Sequence, residues 1–121
     1  MILGRLMAVE ELYEKGFALR CDGRYDEAKD VFSQVLAASP GHADSKWQLG
    51  LIQCFVGEFD ESLVTLQEVV TANPTHVKAR YDLAQTQMML GMMDEACANF
   101  REVLNQDPTH EEANRQIIYC P

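Results

Sequence analysis

Three short stretches of the sequence repeat one pattern: Gly-Arg-Tyr-Asp-Glu-Ala at 23–28, Gly-Glu-Phe-Asp-Glu-Ser at 57–62 and Gly-Met-Met-Asp-Glu-Ala at 91–96. Each stretch begins 34 residues after the one before it. The same spacing separates three prolines and three histidines: Pro40, Pro74 and Pro108, and His42, His76 and His110. Self-similarity at one fixed offset is the signature of a repeat architecture. Three copies of one unit therefore account for nearly all of the 121 residues.

Each unit is predicted to form two helices joined by a short turn. In the middle unit, apolar residues recur at helical spacing over 43–56, and Gly57 stops the run, because glycine suits the left-handed position after a helix end. A second helix is predicted over about 59–72. Its first turn carries two acidic residues, which the positive end of the helix dipole favours, and Pro74 disfavours helix in the residue ahead of it.

The other units follow the same pattern, with helices predicted over 9–22, 26–38, 77–90 and 94–105, and a seventh helix over about 111–119. An apolar lead-in, expected to lengthen the first helix, consists of Ile2, Leu3, Leu6 and Met7. Helix pairs with short turns pack antiparallel, and successive pairs stack. The prediction is a single all-α domain over 1–121, a right-handed α-solenoid with repeats at about 9–42, 43–76 and 77–110.

The composition narrows the classes of function. Ten basic residues against 19 acidic ones give a formal charge of −9, which argues against binding to nucleic acid or anionic membrane, because both need a positive face. No apolar run approaches the roughly 20 residues of a membrane span, and the N-terminal residues do not resemble a signal peptide. The sequence thus favours a cytoplasmic protein.

The four cysteines are widely spaced and form no CxxC pair; they are Cys21, Cys54, Cys97 and Cys120. An even number of cysteines is compatible with a disulfide framework. Because no secretion signal is recognised and the apolar residues suffice for a core, we expect reduced thiols in a reducing compartment instead.

The 34-residue unit resembles the tetratricopeptide repeat over about residues 9 to 110. The resemblance rests on the pair Leu49-Gly50 and on three sets of positions that recur in register: the small residues Ala28, Ser62 and Ala96, the apolar residues Phe32, Leu66 and Phe100, and the closing prolines. Two departures are that the aromatic of the first helix comes one place late, as Trp47 and Tyr81, and that Ala84 replaces a glycine. The resemblance implies an interaction module without a cofactor, acting as a co-chaperone or assembly factor that binds a peptide or protein partner.

A concave wall built from the first helices is the predicted binding surface, because stacked pairs align one stripe from each of these helices. The predicted groove residues are Tyr13, Phe17, Trp47, Gln48, Leu51, Phe55, Lys78, Tyr81, Gln85 and Met88. Aromatic rings anchor interfaces well, and the surrounding charges are mostly acidic. The expected partner is an apolar or aromatic segment with some basic residues. The alternative is that these rings pack between neighbouring helices and stabilise the stack, and for Trp47 the two roles are weighted equally.

Binding of an acidic chaperone tail is not expected. Relatives that bind such tails use a clamp of lysines, asparagines and an arginine. The matching positions here are Tyr13, Phe17, Gln48, Lys78 and Asp82, of which only Lys78 carries over. A ligand carboxylate would lose its water beside Asp82 without enough cations to compensate.

Metal binding and catalysis receive little support. The histidines, one per repeat, lie about one helix-packing distance of ~8–10 Å apart, too far to share one zinc ion, so we expect them to serve turns or helix caps. No phosphate loop, HExxH or nucleophile-elbow motif occurs. The alternative to a partner-binding module is a self-associating scaffold, or a fragment of a larger assembly protein, pairing through its ends or its groove.

Overall fold

A computed structural model describes the backbone of residues 2–121 and the side chains of residues 8–121. This part of the chain contains seven α-helices and no strand: α1 (Ile2–Cys21), α2 (Tyr25–Ala38), α3 (Ala43–Phe55), α4 (Phe59–Ala72), α5 (Val77–Met89), α6 (Met93–Gln106) and α7 (Glu111–Ile117). The predicted bounds agree to within two residues, apart from the start of α1, which the lead-in lengthens as expected. The lead-in side chains lie outside the described residues.

Each turn inside a helix pair depends on a glycine. Gly23, Gly57 and Gly91 have φ of 76°, 85° and 77°. Side chains strongly disfavour this left-handed region, and glycine adopts it at no steric cost. The backbone N–H of the residue after each glycine bonds back into the helix, as from Glu58 to the carbonyl of Gln53 at 2.8 Å. The turn thereby satisfies carbonyls at the helix end and sends the next helix back along the first.

The helices of a pair meet where a small residue faces a large one. A Cβ added to Gly16 would lie 2.8 Å from the Phe32 ring, and one added to Gly50 would lie 2.7 Å from Leu66. In the third unit Ala84 occupies the equivalent position and packs in one buried cluster with Phe100. The three large residues of these contacts are fully buried at 34-residue intervals: Phe32, Leu66 and Phe100.

Three histidines begin the helices that follow each repeat boundary. The Nδ1 atoms of His42, His76 and His110 each accept a backbone N–H three residues ahead, at 3.1 Å, from Ser45, Ala79 and Ala113. Side-chain acceptors at this position satisfy donors that the helix leaves open. The predicted capping role of the histidines is confirmed.

Consecutive pairs stack into a solenoid. The second helix of one pair packs against the first helix of the next, α2 on α3, α4 on α5 and α6 on α7. The first helices α1, α3 and α5 also contact their neighbours directly, and in the described part of the chain they approach one another more closely than the second helices α2, α4 and α6 do. The first helices therefore form the closely spaced inner wall. No helix in the described part of the chain has the length and apolarity needed to cross a membrane.

One prediction about the cysteines is wrong. Cys97 and Cys120 form a disulfide bond, with their Cα atoms 5.8 Å apart, while Cys21 and Cys54 are free. The expectation of four thiols failed because the chain after α7 folds back onto α6. There the guanidinium of Arg101 also donates to the carbonyl of Pro121 at 2.8 Å. A separation of 23 residues in sequence gives no indication of this proximity.

Candidate peptide-binding groove

Three aromatic rings at equivalent positions mark the joints between units. Tyr13, Trp47 and Tyr81 each stack on the histidine that begins the next first helix, with ring centroids 5.3, 5.5 and 5.0 Å apart. Tyr13 and Tyr81 also contact the core rings of their own units. All three are only partly buried. The rings thus pack between neighbouring units, and each of them remains partly accessible to solvent.

Two polar bonds connect these rings to the following unit. The indole Nε1 of Trp47 donates to Oδ2 of Asp82 at 2.7 Å, and the amide of Gln48 donates to the Tyr13 hydroxyl at 3.4 Å. Gln48 is fully buried. It was predicted to line the groove, but it lies inside a joint instead, because the position 35 residues after each ring points back at that ring.

The inner wall contains an open cleft of about 360 Å³ between α3 and α5. Its lining combines apolar side chains with three polar ones, and consists of Leu51, Cys54, Phe55, Tyr81, Asp82, Gln85, Thr86 and Met89. Four predicted groove residues therefore come together in one place: Leu51, Phe55, Tyr81 and Gln85. The spacing of the units brings them together, because equivalent turns of neighbouring first helices face each other across the joint.

The apolar surface of the cleft continues along the wall. Phe17, Phe55 and Met89 expose 42%, 52% and 60% of their surface. Met88, which was predicted to line the groove, is partly buried against the core cluster of the third unit, and Met89 beside it is exposed. An exposed apolar strip beside a cleft is a feature of interaction sites.

Two cations lie on the same wall, each over an aromatic ring. The guanidinium of Arg20 lies 5.1 Å from the centre of the Phe17 ring, and the ammonium of Lys78 lies 5.6 Å from the centre of the Trp47 ring. Lys78, a predicted groove residue, is exposed at this position. The wall therefore already shows that its rings accept cations on their faces.

Of the residues that line the cleft, Asp82 is the charged one. Burial raises the pKa of this carboxyl above its usual range, and the hydrogen bond from Trp47 and the charge of Arg20 act in the opposite direction. Among the side chains of residues 8–121 no lysine, arginine or histidine nitrogen lies within 4 Å of the carboxylate. The sequence predicts only that the charges around the groove are mostly acidic, whereas the structure places Asp82 in the lining of the cleft. Its distance of 35 residues from Trp47 was the available signal, since that spacing pairs each ring with the next unit.

The remaining polar groups of the cleft are mostly engaged within the chain. Gln85 donates its amide N–H to the Tyr81 hydroxyl at 2.7 Å, and the Thr86 hydroxyl donates to the carbonyl of Asp82 at 3.0 Å. Burial raises the pKa of the Tyr81 phenol, which therefore stays neutral at physiological pH. In the described part of the chain the hydrogen bond of the Gln85 side chain uses its N–H end, which leaves its Oε1 atom open to the cleft. The cleft thus offers acceptors to a ligand, at Asp82 and Gln85.

The histidines lie outside this cleft. His42 and His76 each place Nε2 near a carboxylate, at 3.4 Å from Glu10 and 3.0 Å from Asp44. In the third unit the equivalent position is Lys78, and Nε2 of His110 lies 3.9 Å from Glu112 instead. Within residues 2–121 no three histidine, cysteine or acidic side chains are grouped as metal ligands would be.

Comparison with protein families places the chain. Tetratricopeptide repeat models match residues 56–116 and residues 9–42. The chain belongs to the tetratricopeptide repeat family. No curated protein sequence matched it.

Solved structures with the same fold include three that differ in how much of them the chain covers. The first tetratricopeptide domain of Spaghetti (RPAP3), bound to the HSP90 peptide SRMEEVD, is 22% identical with a TM-score of 0.87, over 92% of this chain and 88% of that one. MamA from Desulfovibrio magneticus is 24% identical (TM-score 0.82), over 92% of this chain and 63% of that one. YrrB, described as having an unusual peptide-binding site, is 31% identical with a TM-score of 0.75, over 88% of this chain and 55% of that one. The chain thus spans less than two thirds of the last two.

Proposed function

We propose that the groove binds a polypeptide segment of a partner protein, and that the cleft between α3 and α5 is its main contact. The cleft combines about 360 Å³ of open space with exposed apolar side chains of Phe55 and Met89. A concave, mostly apolar site with a few oriented polar groups is the usual form of a binding site. This combination is the observation that carries the proposal, and it supports a non-catalytic role.

The partner segment is apolar or aromatic with some basic residues. The exposed strip of Phe17, Phe55 and Met89 supports the apolar part, and the charge of −9 with Asp82 inside the cleft supports the basic part. The RPAP3 domain binds an acidic peptide from HSP90. In this chain Asp82 would repel such a peptide, so we infer a different class of partner. A cytoplasmic location and a role as an assembly factor belong to this proposal.

The experiment removes the exposed apolar groups of the cleft. In Phe55→Ala with Met89→Ala, capture of partners from a native lysate, identified by mass spectrometry, is expected to be lost while the helical circular-dichroism signal is kept. Both side chains are more than half exposed, so the substitutions spare the core. Trp47→Ala with Tyr81→Ala is a poorer test, because both rings stabilise joints.

The control for this experiment is Val64→Ala. Val64 is 60% exposed and lies on the second helix α4 rather than on the inner wall. We expect the Val64→Ala variant to capture the same partners as the natural chain. Equal capture by the double variant would contradict the proposal, and loss of capture by Val64→Ala would assign binding to the outer helices.

Self-association is the second candidate. Ile118 and Tyr119, just after α7, expose 73% and 67% of their surface. Exposed apolar side chains of this size favour contact with another protein surface, here a second copy of the chain. Sedimentation at micromolar and tenfold higher concentration separates the two candidates. A strict monomer at both concentrations would count against the scaffold.

A further inference from the structure

We propose that the cleft between α3 and α5 is an arginine subsite, in which Asp82 receives the guanidinium of a partner arginine and the apolar walls hold its stem. This inference rests on the proposed function and specifies the side chain that the groove selects. The occupant is one arginine of an otherwise apolar segment.

The acceptor geometry carries the first step. The Oδ2 atom of Asp82 is held by the Trp47 indole at 2.7 Å, which fixes the carboxylate at the cleft. Its Oδ1 atom has no hydrogen-bond partner among the described residues and is not enclosed. Oε1 of Gln85 is a second open acceptor in the same lining. Two unsatisfied acceptors call for a ligand rich in donors, and a guanidinium has five.

The charge balance carries the second step. Asp82 lies in a mostly apolar lining, and no cation of the described chain approaches it within 4 Å. Arg20 is close enough to lower the pKa of Asp82, but its guanidinium lies over the Phe17 ring. A carboxylate that has lost part of its hydration without a partner gains more from a ligand cation than an exposed one does.

The walls favour arginine over lysine. Phe55 and Tyr81 present rings beside the carboxylate, and Leu51 and Met89 supply aliphatic surface. A planar, weakly hydrated guanidinium stacks on rings, while its methylene stem packs on apolar side chains. Arg20 over Phe17 shows the same pairing within this chain. A lysine ammonium holds its water more strongly and forms no fork.

The test begins with a random 12-residue peptide library displayed on phage and selected on the full chain. Selected peptides are expected to share one arginine flanked by apolar residues. One of these peptides is then synthesised with arginine and with citrulline, which has the same shape without the charge. Citrulline should weaken binding by about tenfold or more, because charge-assisted hydrogen bonds are lost.

Asp82→Asn completes a double-mutant cycle. The asparagine keeps an acceptor for the Trp47 indole but removes the charge, so arginine and citrulline peptides should bind it within about twofold of each other. Asp94→Asn removes the same charge from the exposed first turn of α6 and should keep the tenfold preference. Arg20→Gln should tighten the arginine peptide, since it removes a competing cation.

The outcomes separate this inference from the proposed function. If peptides are selected and depend on Phe55 and Met89 but carry no shared arginine, or if lysine serves equally, the subsite is wrong and the groove stands. If no peptide is selected, both fail. The citrulline exchange is made on the peptide, so it remains decisive even if the Asp82 variant does not fold. The single indole signal of Trp47, followed by NMR, should move on binding.

Discussion

At the scale of single residues, the structure changes the meaning of Asp82. In the sequence it is one of 19 acidic residues. In the fold its carboxylate accepts the Trp47 indole and loses part of its hydration at the joint between two units. Most of its acidic neighbours on the chain stay in water, where a charge costs little. A residue that weakens the fold by its charge and lines a cleft is a candidate for binding.

Asp82→Asn should therefore stabilise the protein at neutral pH, by about 1 kcal/mol or less, because the uncharged acceptor is cheaper to bury but bonds more weakly. The protonated carboxyl of the natural chain gives stability that is fully present below the unfolded pKa of about 3.9 and is lost as pH rises through the raised folded pKa. The gain from asparagine should thus shrink toward pH 4. Urea unfolding between pH 4 and pH 7 measures it; a constant gap would contradict the assignment.

At the scale of elements, the starts of α3, α5 and α7 share one capping contact, and the helix pairs share one close-packed contact. His76 combines three roles, since it caps α5, stacks on Trp47 and places Nε2 3.0 Å from Asp44. Gly50 lets α3 approach α4 so closely that Leu66 fills the space a side chain would need. These contacts recur in other units, so a variant at one joint can be compared with its equivalents.

His76→Ala is expected to lower the free energy of unfolding by about 1–2 kcal/mol, because the N-cap acceptor of α5 is lost together with the ring contact. His76→Asn restores an acceptor and should recover part of the loss. Urea unfolding of the two variants at neutral pH gives the comparison. An alanine variant as stable as the natural chain would show that the cap contributes nothing.

Gly50→Ala should destabilise the protein by about 1–3 kcal/mol, because the new Cβ would lie 2.7 Å from the fully buried Leu66, whose side chain would have to shift within the core. Gly41→Ala is the matched control, since a Cβ there meets nothing within 4 Å. It should change stability by less than about 0.5 kcal/mol. Thermal unfolding of both variants tests the close approach, and equal midpoints would contradict it.

At the scale of the whole molecule, the two ends of the solenoid differ. The C-terminal α7 has only seven residues and buries Ala113, but the disulfide between Cys97 and Cys120 fastens the chain after it to α6. This short helix packs mainly against α6 and has only Ala113 fully buried, so little packing holds it. The disulfide also restricts the conformations of the segment between Cys97 and Cys120 in the unfolded chain.

Cys120→Ser should lower stability by about 2–3 kcal/mol, as expected for a loop of this length, and should speed amide hydrogen exchange in α7. A reducing agent added to the natural chain should have the same effect. Cys21→Ser, at an exposed free thiol, should change neither quantity. Exchange in α7 that is insensitive to reduction would contradict this role of the disulfide.

The sequence alone determined the repeat and its helices. The 34-residue period, the turn glycines and the prolines are local signals, and local backbone preferences dictate helices and turns wherever they agree with the apolar spacing. The same period placed Tyr13, Trp47 and Tyr81 at equivalent positions, and the capping histidines with them.

Only the tertiary structure decided which of these residues face solvent, since burial depends on the neighbouring unit. Gln48 is fully buried although it was predicted to line the groove, Met88 is partly buried beside the exposed Met89, and Asp82 lines a cleft. The pairing of Cys97 with Cys120 depends likewise on the path of the chain after α7. Helical spacing determines on which face of its helix a side chain lies. Its exposure is determined by contacts between segments that are distant in sequence.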